Sequence, residues 1–166
     1  MILHVYTIVH TLISLVGIFS GFIVLFGLFA GKRLDGWTKW FLITTVLTSV
    51  TGFGFPVHHF MPSHAVGVVS LLVLAVAIYA RYSRHLAGAW RKIFVICAAI
   101  ALYLNVFVGI VQSFEKVPAL KALAPTQTEP PFKTTQLVVL ALFVVLTIVA
   151  VIRFRDRVTI SSSDIT

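Results

Sequence analysis

Charge is scarce in this chain. Lys and Arg number 13 and Asp and Glu only five, so charged residues make up 11% of the 166, against 59% hydrophobic. Soluble domains carry roughly 25% charged residues, and this composition excludes an ordinary water-facing fold. Carboxylates are absent from the apolar runs, which excludes an intramembrane proton relay built on Asp or Glu. Glu115 and the histidines of the outer half are the only acid–base set available. Cysteine is nearly absent too. Cys97 stands alone, so no intrachain disulfide can form and a thiolate-rich structural zinc site has no ligands. It reads as a small core hydrophobe. The chain also lacks an internal repeat, a Gly-rich phosphate loop and a nucleophile-elbow motif.

What the chain has is long uncharged stretches. No Asp, Glu, Lys or Arg occurs in 1–31, 40–80, 93–114 or 134–152. A helix needs about 20 apolar residues to cross the hydrocarbon core of a bilayer. Each stretch reaches roughly that length, and the second is about twice as long. Gly52, Gly54, Pro56 and Pro62 interrupt it, so it divides into a helix, a turn and another helix. The expected fold is all-α: a polytopic membrane bundle of five transmembrane helices over about 3–30, 38–55, 64–82, 91–113 and 134–153, with a polar tail over 154–166. The Met1-Ile-Leu-His start has no basic region and leads an apolar run too long for a secretory signal, so it is taken as the first helix.

Orientation follows from the cations. Lys32, Arg33 and Lys39 follow the first helix, Arg81, Arg84, Arg91 and Lys92 separate the third and fourth, and Arg153, Arg155 and Arg157 follow the fifth. Five crossings place all of these on one side, opposite Lys116, Lys121 and Lys133. The richer side marks the cytoplasm, with the N-terminus outside and the C-terminus inside. Trp37, Trp40 and Trp90 fall at cytoplasmic helix ends, where interfacial indoles belong. The net charge of +8 is thus a topology signal, with some attraction to anionic headgroups, and gives no case for nucleic acid. The cytoplasmic connectors are too short to house a catalytic domain.

Five of the six histidines (His4, His10, His58, His59 and His64) lie in the outer half, and His85 lies among the cytoplasmic arginines. Three fall in the turn FPVHHFMPSH, residues 55–64. His10, Ser14, Gly17 and Gly21 share one helical face, and Asn105, Gly109 and Gln112 share another, with Glu115 a turn further out. His10 and Asn105 fall at similar depth, roughly 10 Å inside the outer boundary at about 1.5 Å per residue. His64 and Gln112 fall near the boundary. The inner half is almost entirely Leu, Val, Ile, Phe and Ala. The asymmetry points to an outward-facing polar pocket walled by His10, His64, Asn105, Gln112 and Glu115, with the histidine turn and the Pro-rich connector 115–133 as lids. Blander readings stand beside it. Small-residue stripes are usually packing faces, hydroxyls such as Thr44–Thr51 usually bond their own helix, and loop histidines are often only solvated.

Four chemistries suit such a pocket. A b-type haem needs imidazoles on both faces of the ring, which His10 with His64, His58 or His59 would supply. A transition metal, Zn or Cu, would use His58, His59 and His64 with Glu115. A small-molecule or quinone transporter or binder would use His10, Asn105, Gln112 and the Thr stripe. An accessory subunit would dock another membrane protein, or a second copy of itself, through the Pro-rich connector.

The run VHTLISLVGIFSGFIVLFGLFAGK, residues 9–32, resembles the first helix of a group of uncharacterised small bacterial membrane proteins, in which a helix histidine precedes spaced glycines and a basic turn. LTSVTGFGFP and SHAVGVVSLLVLAVAIYARY are similar in layout to their next hairpin. The chain departs from them in KRLDGWTKW, which lacks the further histidine often found there. The resemblance implies a multi-pass protein of the bacterial inner membrane and no particular activity.

Overall fold

The structure, a computed structural model, describes residues 1–56 and 62–163, and their side chains at 1–56 and 64–154. Among the described residues there is no strand. The helices are α1 (Ile2–Phe29), α2 (Asp35–Gly52), α3 (Pro62–Ile78), continued by a π turn over Tyr79–Ser83, α4 (Trp90–Lys116), the short α5 (Pro118–Leu123) and α6 (Pro130–Ser163). Four segments are long and apolar enough to cross a membrane: Ile2–Phe29, His64–Ser83, Trp90–Lys116 and Pro130–Phe154. α2 is shorter and more polar, with Asp35, Lys39 and a series of Ser and Thr.

Local chemistry sets the boundaries. α2 starts with Asp35 in its first turn, where a carboxylate suits the helix dipole, and ends at Gly52 ahead of Gly54 and Pro56. Pro118 opens α5, where its missing N–H costs nothing. α6 runs through the cationic stretch as far as Ser163, because no Gly or Pro follows Pro131 to stop it. Ahead of α6, Glu129 accepts hydrogen bonds from the N–H groups of Thr126 and Thr128 and from the Thr126 hydroxyl. Desolvation works upward on its carboxyl, but these hydrogen bonds outweigh it and hold the carboxyl below the usual carboxylate range.

α1, α2, α3 and α4 pack as a ring, each against the next and α4 against α1, and α6 lies in the groove between α1 and α4. The contacts fix antiparallel registers. Along α1 and α2, Tyr6 meets Thr51, Gly17 meets Thr44 and Gly21 meets Phe41. Along α2 and α3, Ser49 meets Ser70 and Phe53 meets Gly67. α4 meets α1 at Asn105 and Ser14, and α6 at Tyr103 and Phe143, whose ring centroids are 5.6 Å apart. Gly21 allows α1, α2 and α4 to converge. A Cβ there would stand 2.6 Å from Leu102 Cδ1 and 2.9 Å from Phe41 Cε2.

The core lies in the half of the bundle nearer the cations. Val24, Leu25, Leu28, Phe41, Leu42, Leu74, Phe94, Ala98 and Leu102 are buried there. At its edge, in the π turn, Arg81 is 4% exposed and pairs with Asp35, which is itself 3.7 Å from Arg33 Nε. The guanidinium carbon sits 5.5 Å from the centre of the Phe94 ring. Asp35 remains largely exposed, so Arg81 is held as much by the aromatic surface as by charge.

Gly21→Ala is expected to destabilise the fold by about 1–3 kcal/mol, as overpacking does. Thermal unfolding of the detergent-solubilised variant checks this. An unchanged transition would mean that the three helices do not converge at Gly21.

Candidate functional site

The polar side chains gather at the opposite, histidine-bearing end. His10 sits on α1, one turn above Ser14 and one turn below Tyr6. Tyr6 Oη donates to the Thr51 carbonyl at 2.6 Å. His10 Nδ1 lies 2.8 Å from Thr51 Oγ1. Thr51 Oγ1 is also 2.6 Å from the Leu47 carbonyl, which can only accept, so the single hydroxyl proton points there. Thr51 Oγ1 therefore accepts from His10, and a neutral His10 carries its proton on Nδ1. That leaves the lone pair on Nε2. Among the described residues nothing hydrogen-bonds Nε2. Phe55 packs edge-on against the imidazole at 5.1 Å and holds the ring plane.

A turn deeper, Ser14 donates to Asn105 Oδ1 at 2.9 Å. The α1 and α4 stripes thus face each other, and His10 and Asn105 lie on one side of the bundle. Gln112 lies two turns further along α4 and is half-buried, with its amide 3.4 Å from the exposed Glu115 carboxylate. These two occupy the end of α4 and meet each other rather than His10.

His64 is placed elsewhere. It stacks on Phe53, with ring centroids 5.6 Å apart. Phe53 and Thr51 are two residues apart, about 200° around the axis at 3.6 residues per turn. His10 therefore lies on the α1 side of the α2 end and His64 on the α3 side. The two rings thus meet different neighbours, Thr51 and Phe55 for His10 and Phe53 for His64. His58 and His59 lie outside the described residues. Among the described residues, no three His, Cys, Asp or Glu side chains converge as a metal would need.

The Pro-rich connector is held along α4. Gln127 Nε2 donates to the Val111 carbonyl at 3.1 Å, and Phe132 packs on Phe114 at 5.4 Å, which ties the connector to α4. An open hollow of about 540 Å³ lies along the start of α6, lined by Pro130, Pro131, Thr134, Thr135, Val138 and Val139, and shares no residue with the His10 face.

The α2 hydroxyls divide sharply. Thr44, Thr48, Ser49 and Thr51 each donate to the carbonyl four residues back, and Ser49 also meets Ser70 at 3.0 Å. They are spent inside the protein. Tyr6 and Phe55 shape the His10 site beside Thr51 of the Thr stripe, although composition does not mark either ring. The available signal for Tyr6 was helical spacing, since it precedes His10 by four residues. No protein-family model, curated protein or solved structure matches the chain.

In a double-mutant cycle, Ser14→Ala and Asn105→Ala should couple by about 0.6 kcal/mol, the typical size of an interhelical hydrogen bond in a membrane. Additive effects on thermal stability would show that the two side chains do not bond.

Proposed function

We propose that this chain is a multi-pass membrane subunit that binds a ligand or cofactor at its histidine end, in a polar pocket opening outward. On this reading it is an accessory part of a larger complex in a bacterial inner membrane and has no catalysis of its own. The single observation that carries it is His10. Its ring is fixed by Thr51 and Phe55, and its Nε2 carries a lone pair with no bond among the described residues. A basic nitrogen held in this way takes a hydroxyl hydrogen bond or a metal centre. A hydrogen-bonding small molecule, such as a quinol hydroxyl, suits it better than a haem ligated by His10 and His64, because His64 belongs to the α3 side.

Register supports α2 as a fifth crossing. It runs beside α1 from Gly21 to Tyr6 and beside α3 from Ser70 to His64, both candidate spanning segments. With five crossings, the cations at Lys32, Arg33, Lys39, Arg81, Arg84, Arg91 and Lys92 lie on the cytoplasmic side and the N-terminus lies outside.

Two measurements follow. In a Cys97→Ala background, Lys121→Cys should react with an impermeant maleimide on intact cells. Lys39→Cys and Lys92→Cys should both react only after permeabilisation. Lys39→Cys and Lys92→Cys on opposite sides would sink the fifth crossing. For the ligand, the protein purified in mild detergent should yield one stoichiometric small molecule on organic extraction, lost in His10→Ala. A Soret band that sharpens with dithionite would move the reading to haem. An extract and spectrum without any bound molecule would remove the ligand reading.

A further inference from the structure

One turn below Ser14, the polar face ends at a pair of buried atoms without hydrogen bonds. Five Ser and Thr residues are buried among the described residues: Ser20, Thr38, Thr44, Thr45 and Ser70. Ser20, Thr38 and Thr44 donate to backbone carbonyls, and Ser70 bonds Ser49. Thr45 alone does neither, although it is 1% exposed. Its Oγ1 forgoes the usual carbonyl four residues back and turns toward α1. Asn105 Nδ2, on a residue 7% exposed, likewise has no acceptor.

Both atoms border the same spot beside Gly17. A Cβ on Gly17 would stand 3.0 Å from Asn105 Nδ2 and 3.3 Å from the hydroxyl oxygens of Thr44 and Thr45. The Thr44 hydroxyl is already donated to the Trp40 carbonyl at 2.7 Å, so its oxygen can only accept there. Exchanging the amide N and O of Asn105 does not remove the problem, because whichever atom faces Thr45 occupies the same position. A buried polar group left unpaired loses its bond to water without replacement, so a helix crossing that sets both against one glycine implies something between them.

We propose that one oxygen atom binds in this niche, accepting from Asn105 Nδ2 and bonding Thr45 Oγ1, with Gly17 kept free of a side chain to admit it. The chemistry is that of a small oxygen ligand, which either a single water or the carbonyl of a larger bound molecule supplies. With it in place, one polar belt joins four helices. Ser14 on α1 bonds Asn105 on α4, the oxygen leads to Thr45 on α2, Ser49 bonds the Thr45 carbonyl, and Ser49 meets Ser70 on α3. The inference does not depend on His10 or on an outward pocket.

Thr45→Val tests it on the full chain in detergent, because valine keeps the shape and deletes the hydroxyl. If the oxygen is bound, the variant loses a bridge and its Tm should fall, by roughly 2–4 °C. Thr45→Ser should keep the bridge and stay nearer the parent. If nothing is bound, valine relieves an unpaired buried hydroxyl, and a Tm that holds or rises overturns the proposal. Mass spectrometry of the organic extract separates the two sources. A molecule lost in Thr45→Val identifies a ligand carbonyl, and an extract unchanged between parent and variant, with the Tm loss, identifies water.

Discussion

A polar group removed from water must find its hydrogen bond inside the protein, and much of this molecule is arranged around that requirement. The ring of helices is tied by side chains that answer one another across it: Tyr6 and His10 on Thr51, Ser14 on Asn105, Ser49 on Ser70. Between Leu, Val and Phe surfaces, which pack in many registers, such pairs select one. They also hold α1 against α2 and α4 closely enough for Gly17 and Gly21 to matter.

The same requirement divides the bundle in two. The half toward the cations is closed by apolar packing around Phe41, Phe94 and Leu102, all almost wholly buried. The half toward the histidines is built from hydroxyls, an amide and an imidazole. Among the described residues, a closed apolar floor thus lies beneath a polar upper half. Arg81, the buried cation of the apolar half, fits this division. It lies at the rim of the core, with an aromatic face beneath it and a water-facing carboxylate beside it.

The all-helical architecture and the four segments long and apolar enough to cross a membrane were legible because a charge-free run of about 20 residues has few alternatives in physical terms. The meeting of the α1 and α4 stripes was legible from spacing, since His10, Ser14 and Gly17 recur at helical intervals, as do Asn105, Gly109 and Gln112. Less legible was which side of a helix end a residue takes. His64 and His10 both fall in the outer half by sequence, yet they meet different sides of the α2 end, and only the turn of α2 from Thr51 to Phe53 reveals this. Thr45 was hidden for a different reason. It sits in a row of similar hydroxyls, and rotamer choice alone separates it from Thr44. Arg81 read as one more topology cation, because nothing in the letters around it says that the π turn carries its side chain inward.

The self-bonded hydroxyls of α2 bear on how that helix meets a lipid environment. A threonine whose proton is already given to its own backbone shows its surroundings a methyl group and a capped oxygen, much as a valine would. The cost of moving α2 from water into hydrocarbon is then set by the methyl surface it presents. A hydropathy average charges each Thr and Ser as if its hydroxyl were free, and so overstates the cost of inserting a helix in which Thr44, Thr48, Ser49 and Thr51 are all folded back on themselves.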